Sequence, residues 1–273
     1  GYWNNIDLYT AYFIIYLSMI FTQLIQTNLR TKELGKNVEY YNRLESTNTE
    51  SWELIEEKNQ HGTIVVTDNQ FNGKGQKNNS WMMVAGKGLA FSLIIDKKYP
   101  ISYSGLISLA TGVSVVESLK KRGVEAKLKW PNDIFVYDKK LGGILCESRI
   151  LKNKIEKIVI GVGINVNETI LEHPENLHNH LTTMFEISNH AHQRELIIAE
   201  FINCIEHQLY YFSSDPKKII NEWLGNCIHL DEKICFFENG EIVEGIFRGL
   251  DENGLAKIDV QNEIKTYSSI NII

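Results

Sequence analysis

The sequence predicts an α+β fold: a mostly antiparallel sheet with helices, followed by a small C-terminal β-barrel. Between residues 126 and 163 four apolar runs, AKLKW, IFVYD, ILCESRI and KIVIGVG, are separated by joints too short for a crossover helix, so neighbours must run antiparallel. Residues 102–122 and 191–213 carry apolar side chains three and four apart, the period of amphipathic helices. Beyond Cys227 the texture changes to short strands joined by Glu-Asn-Gly, Asp-Glu-Asn-Gly and Gln-Asn turns, which reads as a barrel. The short joints argue against a Rossmann domain.

In chain order, VEYYNRLE at 38–45 alternates like a strand, and Thr47 with Glu50 forms a T-x-x-E capping box that opens a helix through about Lys58. A His61-Gly62 turn leads into the buried strand TIVVT, and a polar, glycine-bearing loop runs from Asn69 to Trp81. LAFSLII is the next strand, before the 102–122 helix and the four-strand meander. After the 191–213 helix, Pro216 starts a shorter one ending near Gly225. KICFF, EIVEGIFRGL, LAKIDV and EIKTY then supply the barrel. The expected division is residues 1–37 as an extension, 38–226 as the main domain and 227–273 as the barrel.

The 273 residues are 43% hydrophobic and 23% charged, enough for one large core and a small one. A net charge of -6 and no run of Lys or Arg exclude a phosphate-binding surface of nucleic-acid type. Cys146, Cys204, Cys227 and Cys235 show no C-x-x-C spacing, so they read as reduced thiols of a cytoplasmic protein. Leu8 to Leu29 holds no charge and Arg30, Lys32 and Lys36 follow it. Three readings stand open for it: a non-native extension, a membrane anchor with the remainder cytoplasmic, or a helix packed on the body. Its end is too weakly marked for a cleaved signal peptide.

Three loops carry chemistry. In QFNGKGQKNNSW, residues 70–81, Gly73 and Gly75 let backbone N–H groups approach an anion, and Lys74 and Lys77 add positive charge. Neither a Walker A pattern nor G-x-G-x-x-G is completed, and a plain surface loop is the competing reading. In KWPND, residues 129–133, Pro131 makes a corner that turns Asn132 and Asp133 out of the sheet end. Lys140 stands at the next corner, before Gly142 and Gly143. Two hairpin turns with solvated lysines would give the same pattern, but a tryptophan at a corner needs something packed on it. In GVGINVN, residues 161–167, Gly161 and Gly163 allow close backbone approach and Asn165 offers an amide; a bulge is the plain alternative. The histidines 173, 178, 180, 190 and 192 lack metal-ligand spacing and read as a solvated loop, and Tyr210, Tyr211 and Phe212 read as core.

Taken together, STN at 46–48, Q-x-x-GKGQ at 70–76 with Trp81, KWPND, KLGGIL at 140–145 and GVGINVN resemble the biotin protein ligases without an N-terminal DNA-binding domain, over residues 38–273. The resemblance implies a class II aminoacyl-tRNA synthetase-like catalytic domain and an SH3-like barrel. It also implies ATP, Mg2+ carried by the ATP, and biotin as ligands, with a carboxylase's biotin carboxyl carrier domain as partner. Homodimerisation or carrier docking at a free sheet edge belongs to the same family picture, and membrane attachment enters only if residues 8–29 are an anchor. By that resemblance Ser46, Thr47, Asn48 and Gln70, with Lys74, Gly75, Gln76, Lys140, Gly142, Gly143, Gly161 and Gly163, surround biotin. Lys74, Gln76, Trp81, Asn132, Lys140 and Asn165 face ATP, while Lys140 and Asp133 carry catalysis. The common family loop reads G-R-G-R-x-G-R, whereas Lys74, Gln76 and Asn79 stand at its arginine positions, and none of them can grip an anion bidentately. A lipoate or octanoyl ligase of the same fold, and a non-catalytic biotin-binding protein, are the alternatives.

Overall fold

The computed structural model describes residues 19–57 and 60–273. Strands β1 (Val38–Tyr41), β2 (Ile64–Thr67), β5 (Leu89–Ile95), β7 (Lys127–Lys129), β8 (Asp133–Val136), β9 (Lys139–Leu151) and β10 (Lys154–Ile164) form one sheet in the order β1-β2-β5-β10-β9-β8-β7, and β6 (Tyr99–Pro100) pairs with β10. All its pairs are antiparallel except β1 with β2. That exception follows from the chain: residues 42–63 hold helix α2 (Thr47–Glu57), long enough to cross over and return in the same direction. β3 (Gly73–Lys74) and β4 (Ser80–Trp81) make a small hairpin inside the predicted loop.

One face of the sheet is covered by α3 (Ser104–Lys120), α5 (Arg194–Ser214) and α6 (Pro216–Gly225), the short α4 (Met184–Ser188) preceding α5 in the chain, and Phe91 of β5 meets Phe201 of α5 edge to face, centroids 5.2 Å apart. Helix α3 is more enclosed than an amphipathic stripe predicts, with twelve buried residues, because it is packed against the sheet, α5 and α6. The other face carries α2 over a smaller cluster of Leu44, Ile55, Val65, Ile94 and Val159. The predicted capping box does not form: Thr47 is the first helical residue, Glu50 N donates to Ser46 O, and the Glu50 carboxylate accepts instead from the Tyr41 hydroxyl at 2.7 Å.

β11 (Lys233–Glu238), β12 (Glu241–Leu250), β13 (Ala256–Val260) and β14 (Glu263–Tyr267) form a four-stranded antiparallel sheet, and Ile272 bridges back to Phe236 on its first strand. Its buried Phe236, Phe247 and Ile258 continue the main core. Trp130, the tryptophan at the corner, is 3% exposed and directs its indole N–H at Gly254 O, 3.4 Å away, so this second sheet is what packs on it.

Residues 19–37 form a strap along α5. Ile20, Ile25 in α1 (Thr22–Thr27) and Leu34 enter the core, and carboxylates of α5 hold the strap's backbone: Glu195 accepts from Phe21 N, and Glu206 from Lys32, Glu33 and Leu34 N. Of the three readings of the N-terminal apolar run, packing on the body is the one that describes residues 19–29; residues 8–18 lie outside the described residues. No described helix is long and apolar enough to cross a membrane. Tyr210 is 69% exposed, so of the three aromatics read as core only Phe212 is fully buried. His173 and His192 are buried rather than solvated, and among the described residues no group of three or more His, Cys, Asp or Glu could hold a metal.

Candidate active site

The site begins as a row of directly paired residues across the sheet. Lys129 pairs with Asp133, Asp133 with Gly143, Gly143 with Gly163, and Gly163 with Ala90. Paired residues share a face, so two charged groups at one end give way to three residues with almost no side chain. The next row runs Leu145, Gly161 and Ser92. Lys140 joins this face through a register shift: Ile134 pairs with Gly142 but Phe135 with Lys140, leaving Leu141 as the extra residue of a bulge. Without the bulge, positions 140 and 143 would point to opposite faces. With it, the Lys140 ammonium lies 2.6 Å from Asp133 Oδ1.

Over the small residues opens a cavity of about 250 Å³, walled by α2, the β3–β4 hairpin and the KWPND corner. At one end the Gln70 amide oxygen accepts from Thr47 N at 2.9 Å, and the Ser92 hydroxyl lies 2.7 Å from that of Thr47 and 2.6 Å from Asn48 Oδ1. Ser46, Thr47, Asn48 and Gln70 are all buried. At the other end stand Lys129, Asp133 and Lys140, two cations with one carboxylate, an arrangement that attracts an anion. Burial holds the Lys129 pKa below its ordinary value; Asp133 pulls it back up and the neighbouring Lys140 adds to the lowering.

Glycine at 161 and 163 is a packing requirement. A Cβ on Gly163 would come within 2.4 Å of the Trp81 indole, and one on Gly161 within 2.2 Å of Asn48 Oδ1. The Trp81 indole N–H is buried without a hydrogen-bond partner, beside the glycine floor.

Of the residues singled out in the sequence, Ser46, Thr47, Asn48, Gln70, Lys74, Gly75, Gln76, Trp81, Asn132, Asp133, Lys140, Gly143, Gly161 and Gly163 line this cavity. Gly142 and Asn165 do not. Gly142 faces the opposite side of β9, where a Cβ would meet Gly163 O at 2.5 Å. The Asn165 amide donates to Thr182 O at 3.1 Å and holds the segment after β10. Asn132 reaches the cavity rim with its amide N–H donated to Ile144 O at 2.8 Å. Sequence reasoning missed Ser92, a hydroxyl inside an otherwise apolar strand, which is itself a readable signal. It also missed Ile270, Asn271 and Ile272, the end of the chain, which line the cavity next to the hairpin, with Lys77 Nζ donating to Asn271 Oδ1 at 2.8 Å. No local pattern announces that contact.

Residues 40–165, which span both ends of this cavity, match the biotin/lipoate A/B protein ligase family. Residues 40–165 thus form a domain of this family. It is 27% identical over 252 residues to the bifunctional ligase/repressor BirA of Bacillus spizizenii, covering 91% of this chain and 77% of that one. With the biotin–[acetyl-CoA-carboxylase] ligase of Mycobacterium tuberculosis it shares 24% identity over 220 residues, 78% of this chain and 79% of the relative. Its fold is similar to that of the biotin protein ligase from Aquifex aeolicus solved in complex with biotin and ATP, with a TM-score of 0.73 and 28% identity over 87% of this chain and 99% of that one.

Proposed function

We propose that the chain is an ATP-dependent biotin protein ligase, which joins biotin to the α-phosphate of ATP and then passes the biotinyl group to one lysine of a biotin carboxyl carrier domain. The observation that carries this reading is that the Lys140 ammonium and the buried Ser46–Asn48 and Gln70 set open into one cavity. A ring with polar edges fits the second, and its carboxylate, directed along the glycine floor, then reaches the first.

In the first step a carboxylate oxygen attacks the α-phosphorus and pyrophosphate leaves. Two anions must meet, and Lys140 with Lys129 offsets their repulsion from fixed positions, which is where such a site gains most of its rate. Lys74 and Gln76 of the hairpin cover the nucleotide with single hydrogen bonds where arginines would give forks, and Trp81 supplies the apolar side of the adenine. In the second step the carrier amine attacks the acyl carbon, the acyl–phosphate bond breaks, and AMP leaves. Asp133 accepts the amine proton; its contact with Lys140 engages Oδ1 and leaves Oδ2 for that purpose. Asp133 is the one carboxylate among the described residues lining the cavity, and Lys140 already pairs with it. That donor set suits Mg2+ that arrives on the nucleotide's phosphates, where it would neutralise phosphate charge.

We assign residues 38–226 as a class II synthetase-like catalytic domain and 227–273 as an SH3-like barrel, whose last residues help close the cavity. Four unpaired thiols suit a reducing, cytoplasmic compartment. The test is to incubate the full chain with labelled biotin, ATP, Mg2+ and a carrier domain, and in parallel with labelled lipoate. Label on the carrier from biotin alone is expected; label from lipoate alone, or biotin binding without pyrophosphate release, overturns the reading.

A further inference from the structure

Behind the polar end of the cavity stands a carboxylate with no part in the chemistry above. Glu147 lies on β9 two residues beyond Leu145, so it shares the cavity-side face. Its Oε2 accepts from Asn48 Nδ2 at 2.7 Å and from the Trp52 indole N–H at 3.3 Å. Asn48 and Trp52 are one helical turn apart on α2, so one carboxylate ties the opening turns of that helix to the sheet. Asn48 Nδ2 also donates to Leu145 O at 3.2 Å. Both amide hydrogens are thereby spent on β9, and Oδ1 is turned toward Ser92 and the Gly161 backbone.

We propose that Glu147 is a positioning residue that sets which way hydrogen bonds run at the head-group end of the cavity; this rests on the ligase reading above. A carboxylate can only accept, as can the Leu145 carbonyl beside it, and the shorter, charged contact to Glu147 makes Asn48 present its NH2 to β9 and its oxygen to Ser92. The Ser92 hydroxyl has one proton for its two neighbours, and the amide oxygen, which cannot donate, takes it. The contact between Ser92 and Thr47 must then use the Thr47 proton, which leaves the Thr47 oxygen with lone pairs for a ligand N–H. If Asn48 flipped, every bond in this chain would reverse, and Thr47 would meet the ligand as a donor. Glu147 thus selects, through Asn48 and Ser92, a ring that offers N–H groups, as a cyclic urea does, over an acyl chain that offers none.

Glu147→Gln keeps the shape but can donate, so of the two acceptors that hold the Asn48 NH2 only the longer contact, to Leu145 O, remains to oppose a flip. The expected result is a KM for biotin raised about tenfold, the effect of one misdirected hydrogen bond, with the KM for ATP and the melting temperature unchanged. On an Asn48→Ala background the same change should add nothing. An unchanged KM for biotin, an equal effect on the Asn48→Ala background, or a loss that follows the melting temperature overturns the proposal. The side-chain amide of Asn48, followed by NMR in the full chain, gives a readout independent of turnover. Slow solvent exchange in the parent that becomes fast in Glu147→Gln supports the assignment, and fast exchange in both overturns it. Should the parent fail to ligate biotin, the ligase reading falls while this second readout still decides the role of Glu147.

Discussion

The two faces of the central sheet are made by the same strands and could hardly differ more. On β5, β9 and β10 the helix-covered face is built from Leu89, Phe91, Leu93, Ile144, Ile160, Val162 and Ile164, all at most 3% exposed. One residue away along each strand, the opposite face offers Ala90, Ser92, Gly143, Gly161 and Gly163. A site is opened here by withholding side chains from one face, while the other is packed to hold the strands in place without them. Stability and activity should therefore separate by face.

The largest effects test that separation directly. Phe91→Ala empties a ring position against Phe201 and is expected to lower stability by about 3–5 kcal/mol, with surviving folded protein keeping its KM for biotin. Chemical denaturation and initial rates on the same samples read both quantities. Lys140→Ala should do the reverse, with biotinyl transfer falling roughly 10²–10³-fold, as for loss of one preorganised electrostatic contact, and the denaturation midpoint held. If Lys140→Ala unfolds the chain or leaves transfer intact, the assignment of chemistry to the open face fails.

These faces were not equally legible. The packed face follows from the apolar runs LAFSLII and KIVIGVG, and the helices over it from three-and-four spacing, because burial of apolar area leaves its mark on sequence. The open face has no period to read: its glycines are absences, visible only as the motifs GG and GVG. The bulge at Leu141, which brings Lys140 to the right side, has no local signature either, since it depends on register with β8. Gly142 and Asn165 stand in the same motifs as Gly143 and Gly163, but alternation turns Gly142 to the side away from the cavity. The apolar run at residues 8–29 leaves a membrane anchor among its readings, although its described part, residues 19–29, packs on the body, because apolar density does not distinguish a core from a bilayer.

Acid provides a sharper instrument on the packed side. His229 is buried against Phe247 with neither ring nitrogen hydrogen-bonded, and burial, with Lys129 nearby as the lesser cause, pushes its pKa down to about 4. Its folded value lies below the unfolded one, so its contribution is fully present above pH 6.5 and is lost as pH falls toward 4. The loss should be roughly 1–3 kcal/mol across that window. His229→Leu is expected to flatten this acid limb in urea midpoints measured from pH 7 to 4; an unchanged limb would show that another group controls it. On the open face Gly161→Ala should cost about 1–3 kcal/mol in biotin binding, by driving a Cβ into Asn48, with a smaller change in the denaturation midpoint. Titration calorimetry with biotin separates the two, and equal losses would mean that the open face is structural after all.

The smallest effect lies where the open face meets the end of the chain. Lys77 donates to Asn271 across the cavity mouth, and both groups are exposed, so water competes for each of them. Such a contact contributes at most about 1 kcal/mol, and it joins the covering hairpin to residues 270–272 without touching either face of the sheet. Lys77→Ala should raise the KM for ATP by up to about fivefold and leave biotin binding and stability alone. Asn271→Ala should match it, and the double substitution should be no worse than either single one, because the two side chains lose the same bond. Additive losses would mean that Lys77 and Asn271 act separately on the nucleotide, and the hairpin would then close without help from the chain's end.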